Sequence, residues 1–240
     1  MPNHVSNRIK MKGIRNLPLF SVDKYGSEHF DFNKMIPMPE SLDVTSGSVE
    51  TLAIMTALKA IEKPIARNYI AIKFKEVFWN DLEERIEKHL LSEHNEENTR
   101  EELIELGLKY LRNAALYGST SWYDWCRKNW GTKWNTYSFE TISEDEIEFQ
   151  TAWSAPIPVI EKLAEMYPDI EIEHYWADED MGNNSGYCYY YNGEISGGYD
   201  ETDQEAYEHY VMCWGETSCL YKDEDGDWQR RNCEDCTGCD

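Results

Sequence analysis

Polar and apolar residues alternate from Asn3 to Lys12, with Val5, Asn7, Ile9 and Met11 on one side and Ser6, Arg8 and Lys10 on the other. A period of two predicts a strand, here with an apolar face and a basic face, closed by Gly13. Asn16 to Ser27 reads as loop, Phe30 to Phe32 as a short extended piece, and Met35 to Pro39 as chain held extended by two prolines. From Gly47 to Gly118 the period changes to that of a helix. Ser48 caps a first helix with Leu52, Met55, Leu58 and Ile61 on one stripe, stopped by Pro64. Ile70, Phe74, Phe78, Leu82, Ile86 and Leu90 form an i, i+4 row for a second. Thr99 and Glu102 make a capping box for a third, in which Leu103, Leu106, Tyr110, Leu111 and Ala114 face inward and Gly118 is the stop.

Ser121 to Pro158 holds five of the nine Trp (Trp122, Trp125, Trp130, Trp134 and Trp153) and is expected to anchor the core. Trp122, Trp125 and Cys126 stand at helical spacing behind Ser119 or Ser121. Gly131 supplies the left-handed residue that a helix ending at Trp130 needs. Tyr137 and Phe139, then Ile147, Phe149 and Thr151, predict a hairpin turning at Ser143 to Glu146. Pro158 suits the first turn of a helix carrying Val159, Ile160, Leu163 and Met166. Ile170, Ile172, His174 and Trp176 alternate as a strand. Gly186 to Glu194 holds another, with Tyr187, Tyr189 and Tyr191 opposite Cys188 and Tyr190, and Asn192-Gly193 as a turn. A short acidic helix is expected around Asp203 to Trp214.

Strand, helix, hairpin, helix, strand is the order of a ferredoxin-like domain. The expected class is α+β: a ferredoxin-like antiparallel sheet with helices on one face (residues 1–47 and 119–199), an inserted three-helix segment (48–118), and an acidic, cysteine-bearing C-terminal extension (200–240). The blocks WCRKNWGTKWN, FQTAWSAPIPVIEKLAEMYPDI and WADEDMGNNSGYCYYYNGE, with MPNHVSNRIKMKG and FDFNKMIPMPESL ahead of them, resemble the YubB family of phage- and plasmid-borne proteins. The resemblance implies a ferredoxin-like topology without an iron–sulfur cluster. It carries over no catalytic residue, because the family has no established activity.

Composition sharpens this picture. Sixteen Tyr and nine Trp outnumber seven Phe, so aromatic rings supply much of the burial in a chain of mean hydropathy −0.71. No apolar run approaches the ~20 residues that span a bilayer, and MPNHVSNRIK lacks the apolar core of a signal peptide. A cytoplasmic protein is expected, with its seven Cys reduced. The net charge of −23, from 46 acidic and 23 basic residues, repels nucleic acid and anionic membranes, so neither is expected as a direct partner. It favours a host protein with a basic surface, including one whose working surface is a DNA-binding groove, for which this chain would be an acidic mimic of DNA. The plain alternative is that the charge serves solubility. The charge is also concentrated: from Asp200 to Asp240 there are 13 acidic residues against Lys222, Arg230 and Arg231.

Four groups of residues carry candidate chemistry. Cys233, Cys236 and Cys239 stand at the spacing of thiolate ligands to one zinc ion, with Cys213, Cys219 or His209 to close the site; the alternative is a flexible tail with reduced thiols. The same run begins like an iron–sulfur motif but lacks the fourth Cys and its Pro. Asp178, Glu179 and Asp180, followed by Asn183 and Asn184, follow a strand end, where carboxylates can bind a metal or act as acid and base; the same residue types also build plain turns. Asp223, Asp225, Asp227 and Glu234 have the spacing of a calcium loop, but Trp228 occupies the position that demands Gly. His174 is expected as a packed core histidine. Cys126 is expected in the helix face rather than as a low-pKa thiol beside Arg127. With no hydrolase triad order or glycine-rich phosphate loop in the chain, a non-enzymatic binding protein is the leading expectation.

Overall fold

The computed structural model describes residues 3–61, 82–91 and 99–231. Ile70, Phe74 and Phe78 of the second expected helix, and Cys233, Glu234, Cys236 and Cys239, lie outside the described residues. Two compact units are present: Met1–Pro37 with Cys126–Asp240, and Met38–Trp125.

The first unit is built on β1 (His4–Met11), β4 (Tyr137–Ser143), β5 (Glu146–Ala152), β6 (Ile172–Asp178), β7 (Gly186–Tyr191) and β8 (Glu194–Tyr199). They form one sheet in the order β4-β5-β1-β6-β7-β8, antiparallel throughout. The first four strands have the ferredoxin-like arrangement, with β1 central between β5 and β6; β7 and β8 extend it. Ile9 lies opposite Ile147 and His174, and Asn7 opposite Phe149 and Trp176. The pleat therefore puts Val5, Asn7, Ile9 and Met11 on the same face as Phe149, Ile172, Trp176 and Tyr190, and all are buried. Phe149 stacks there with Phe30 and Phe32, ring centroids 5.3 and 6.1 Å away. Trp130 packs on Phe32 and donates its indole N–H to Ile36 O at 2.8 Å. Helix α5 (Ile157–Met166), started by Pro158, buries Val159, Ile160 and Leu163.

The opposite face is not left to solvent. Helix α6 (Asp203–Trp214), held at its start by a Thr202–Glu205 capping box, lies across it. Ser6 donates to Cys213 O at 2.9 Å and Arg8 to Met212 O at 2.9 Å. This helix belongs to the expected C-terminal extension rather than to the helices of the ferredoxin-like domain, and the polar side of β1 meets its carbonyl end with donors. Two small hairpins complete the unit, β2 (Phe20–Val22) with β3 (Glu28–Phe30) and β9 (Leu220–Lys222) with β10 (Trp228–Arg230). Asp31 pins the first. Burial opposes its ionisation, but hydrogen bonds from Ser21, Asn135 and Asn33 outweigh that and hold its pKa below the usual carboxylate value. Cys126, Cys188 and Cys213 are buried thiols, whereas Cys219 is disulfide-bonded, which departs from the expectation that all the thiols are reduced.

In the second unit, α1 (Ser48–Ile61), α2 (Leu82–Leu90) and α3 (Arg100–Tyr117) share a core of Ile54, Met55, Ile86, Leu103 and Tyr110. The Thr99 side chain accepts from Glu102 N–H at 3.1 Å, and Gly118 ends α3 at φ 70°. Gly107 sits where a Cβ would lie 2.0 Å from Ala53 O, so the absent side chain lets the two helices touch. Asn113 donates to Ser41 O and Thr120 O, which ties the Glu40–Leu42 turn to α3.

Candidate functional site

The carboxylates expected to carry chemistry sit where β6 ends and turns toward β7. Asp178 is opposite Val5 in the register, on the buried face, and only 4% exposed. Its Oδ1 accepts from Asp180 N–H at 2.9 Å and Asn3 Nδ2 at 3.3 Å, and its Oδ2 from Asn184 Nδ2 at 3.1 Å. Glu179 Oε1 accepts from His4 N–H at 3.0 Å, and the Glu179 N–H returns a bond to His4 O at 2.8 Å. Asp180 Oδ2 accepts from Asn183 Nδ2 at 3.0 Å. Asp178, Glu179 and Asp180 are thus brought together, but each is a hydrogen-bond acceptor: the two aspartates within the turn, as in an Asx-type turn, and Glu179 from the backbone of β1. Among the described residues, no group of three or more His, Cys, Asp and Glu is placed to hold a metal ion.

Two residues not singled out by sequence join this end of the sheet. His4 Nδ1 lies 2.7 Å from the Tyr137 hydroxyl, which itself donates to Thr151 O at 3.0 Å. Burial, reinforced by the charge of Glu179, pushes the Tyr137 pKa up to about 12, so the phenol keeps its proton and orients the imidazole rather than serving as its base. Beside them Trp153 is 38% exposed with φ 76°, its ring 4.5 Å from Lys133 Nζ. Of the five clustered Trp, Trp125 and Trp130 are buried; Trp153 is not, because β5 ends there and its backbone is taken by Asn3 O and Asn184 Nδ2.

The other singled-out groups resolve as follows. His174 is fully buried, its Nε2 3.0 Å from Asn7 Oδ1. Asn7 spends its amide donors on Val5 O and Thr151 Oγ1, so Oδ1 accepts and His174 donates. Burial pulls the His174 pKa down to about 3, which keeps the ring neutral. Burial pushes the Cys126 thiol up to about 12, against any low-pKa role. Of the residues named to close a zinc site, Cys213 is buried with its thiol pushed up by burial, and His209 Nδ1 is held by Asp200 at 2.8 Å. The Asp223 to Asp227 run is the β9–β10 turn: Asp223 Oδ1 accepts from Asp225 N–H and Asp227 N–H.

What remains on the surface is charge. From Asp200 to Arg231 there are ten carboxylates, and Glu201, Asp203, Glu208, Glu216, Glu224 and Asp225 are exposed on and around α6 and the β9–β10 turn. Of the three cations in the segment, Lys222 lies over the Trp228 ring at 4.9 Å and Arg231 over the Tyr221 ring at 4.6 Å.

The sheet order and strand connections define an α+β protein with a ferredoxin-like domain. Residues 129–216 match the family described as the ferredoxin-like domain in Api92-like protein. The matched span includes β7, β8 and α6. The crystal structure of a protein api92 from Yersinia pseudotuberculosis aligns at 10% identity over 84% of this chain and 99% of that one, with a TM-score of 0.34. No curated protein matches. No helix among the described residues is long and apolar enough to cross a membrane.

Proposed function

We propose that this chain is a non-enzymatic accessory protein of a phage or mobile element, related to the YubB proteins, that acts in the cytoplasm by binding a host protein with a basic surface. The observation that carries the reading is the display of exposed carboxylates on α6 and the β9–β10 turn, within a chain of net charge −23. Such a surface attracts a positive patch over long range and repels anionic partners. In its sharper form the protein is an acidic mimic of DNA that occupies a DNA-binding groove. A binding rather than catalytic role is supported by the commitment of Asp178, Glu179 and Asp180 to hydrogen bonds in the turn and from β1.

The test is capture of partners from host lysate at low and high salt, with mass spectrometry of what is retained. One nucleic-acid-binding protein held at low salt and lost at high salt is the expected result, because exposed charge is screened over about 8 Å at physiological ionic strength. A partner held equally at both salts would remove the mimic; no specific partner at either would remove the binding function.

A further inference from the structure

The two edges of the large sheet are finished differently. At one edge β4 is interrupted by register shifts between Tyr137 and Glu140 and between Thr141 and Ser143. Phe20 of β2 packs beside it, 5.5 Å from the Phe139 ring. Bulges and a covering segment are the usual protections of an edge. At the other edge β8 pairs with β7 without a register shift from Gly186–Tyr199 to Tyr191–Glu194, and no described strand pairs with its outer side. Ile195 and Tyr199, on the same side of the pleat as Tyr190, are 56% and 60% exposed.

Beside the turn end of β8 is a cleft of about 290 Å³, walled by Glu161 and Ala164 of α5, Ile170, Tyr190, Glu194 and Ile195. Among the described residues, no basic side chain lines it. Glu165 at its rim is paired with Lys162 at 2.8 Å, whereas Glu161 and Glu194 make no ion pair among the described residues. Tyr190, 1% exposed, forms the buried floor of the cleft, with the Cys188 thiol and the Glu161 carboxylate as neighbours of its hydroxyl. An apolar floor of Ala164, Ile170, Tyr190 and Ile195 beneath two carboxylates matches a long aliphatic side chain that ends in several N–H donors.

We infer that β8 is a docking edge that takes up an extended basic segment of a protein partner as a seventh strand, with one lysine or arginine of that segment seated between Glu161 and Glu194. This rests on the protein-binding reading above and locates its contact. Main-chain hydrogen bonds to β8 supply affinity that any extended chain can use, and the cleft selects the cation.

The test titrates the ¹⁵N-labelled full chain with an acetylated, amidated heptapeptide of alternating valine and lysine. Three comparisons accompany it: the same peptide N-methylated at alternate backbone positions, the peptide with glutamate for lysine, and two protein variants. One variant is Glu161→Gln with Glu194→Gln; the other is Glu101→Gln with Glu105→Gln, both exposed on α3 and outside the cleft and the α6 surface. Saturable amide shifts confined to β7, β8 and α5 are expected. Binding should weaken about tenfold or more on N-methylation and by a similar factor in the cleft variant, with no change in the α3 variant. Absence of saturable shifts, equal binding of the N-methylated peptide, or shifts on α6 in place of β8 would overturn the docking edge. A host protein still captured by the cleft variant would also overturn it while leaving the proposed function in place.

Discussion

On one face of the sheet Ile9, Phe149, Ile172 and Trp176 pack with Phe30 and Phe32. On the other, Ser6, Arg8 and Tyr175 lie under α6. The first face tolerates polar atoms without partners: His174 Nδ1 and Trp176 Nε1 are both buried and unbonded. The second has its polar groups matched. Arg8 reaches Glu146 Oε1 at 2.6 Å as well as the end of α6, Tyr175 donates to Glu173, and His209 binds Asp200 beside the paired rings of Tyr175 and Tyr187. An unbonded buried polar group costs about 1–3 kcal/mol. Burying large aromatic side chains at about 25 cal/mol per Å² offsets a few such losses on the first face. On the second face Ala206 and Cys213 of α6 are buried beside these matched groups, so the helix is held by both packing and paired donors.

Three experiments sharpen that contrast. The largest effect is expected on the apolar face. Phe149→Ala removes the ring at the centre of the Phe30–Phe32 cluster and should lower the unfolding free energy by about 4 kcal/mol in urea denaturation. A loss under 1 kcal/mol would mean that the cluster closes around the gap and the face is not the main source of stability.

Next in size is the pH response of the same face. His174 has a folded pKa depressed to about 3 against about 6.5 when unfolded. The unfolded state therefore takes up the proton first. The stability this ring contributes is whole above about pH 6.5 and is lost as pH falls toward 3. The loss is up to about 1.4 kcal/mol per pH unit, or about 2 kcal/mol between pH 6.5 and 5. Glu148 works in the opposite sense: burial raises its pKa, so its contribution is full at acid pH and lost as pH rises. Comparing wild type with His174→Met isolates the histidine; identical pH slopes in urea titrations would show that the ring is not buried neutral.

The smallest effect is expected on the polar face. Arg8→Ala breaks a partly exposed pair with Glu146 and one bond to the α6 carbonyl end, for a loss of about 1.5 kcal/mol. The loss should be concentrated in α6, so hydrogen exchange of Ala206 to Trp214 should accelerate while β5 and β6 stay protected. Uniform acceleration across the sheet would show that the two faces unfold as one.

Much of this was legible beforehand, for reasons that are local. Asn3 to Lys12 alternates because both faces of β1 are buried against different chemistry. Thr99–Glu102 and Gly118 bound α3 because a cap is a contact within one turn of chain. Gly131, at φ 78°, marks a turn that a side chain would strain. The hairpin of β4 and β5, the helix at Pro158 and the acidic helix at Asp203 follow from spacing in the same way. The strand β8 was not legible: Glu194 to Tyr199 has two adjacent glycines and exposed positions on both sides, and it is a strand only because β7 offers it a ladder. The short strands β2, β3, β9 and β10 were missed for the same reason. At the candidate site, Asp178 to Asp180 stood out by composition, whereas His4 and Tyr137 did not. Their partnership spans 133 residues of chain and leaves no periodic trace.

By itself, then, the sequence determined the class of fold, the bounds of most elements that end in a cap, a glycine or a proline, and the sign and concentration of the charge. Each is written in neighbours a few residues apart. Tertiary structure alone decided that α6 covers a second face of the sheet and that the carboxylates of Asp178, Glu179 and Asp180 accept hydrogen bonds in a turn and from β1. It also decided that β8 is left as an open edge beside a glutamate-rimmed cleft. Those outcomes depend on which strand ends meet across long stretches of chain, and only the pairing of the sheet brings such residues together.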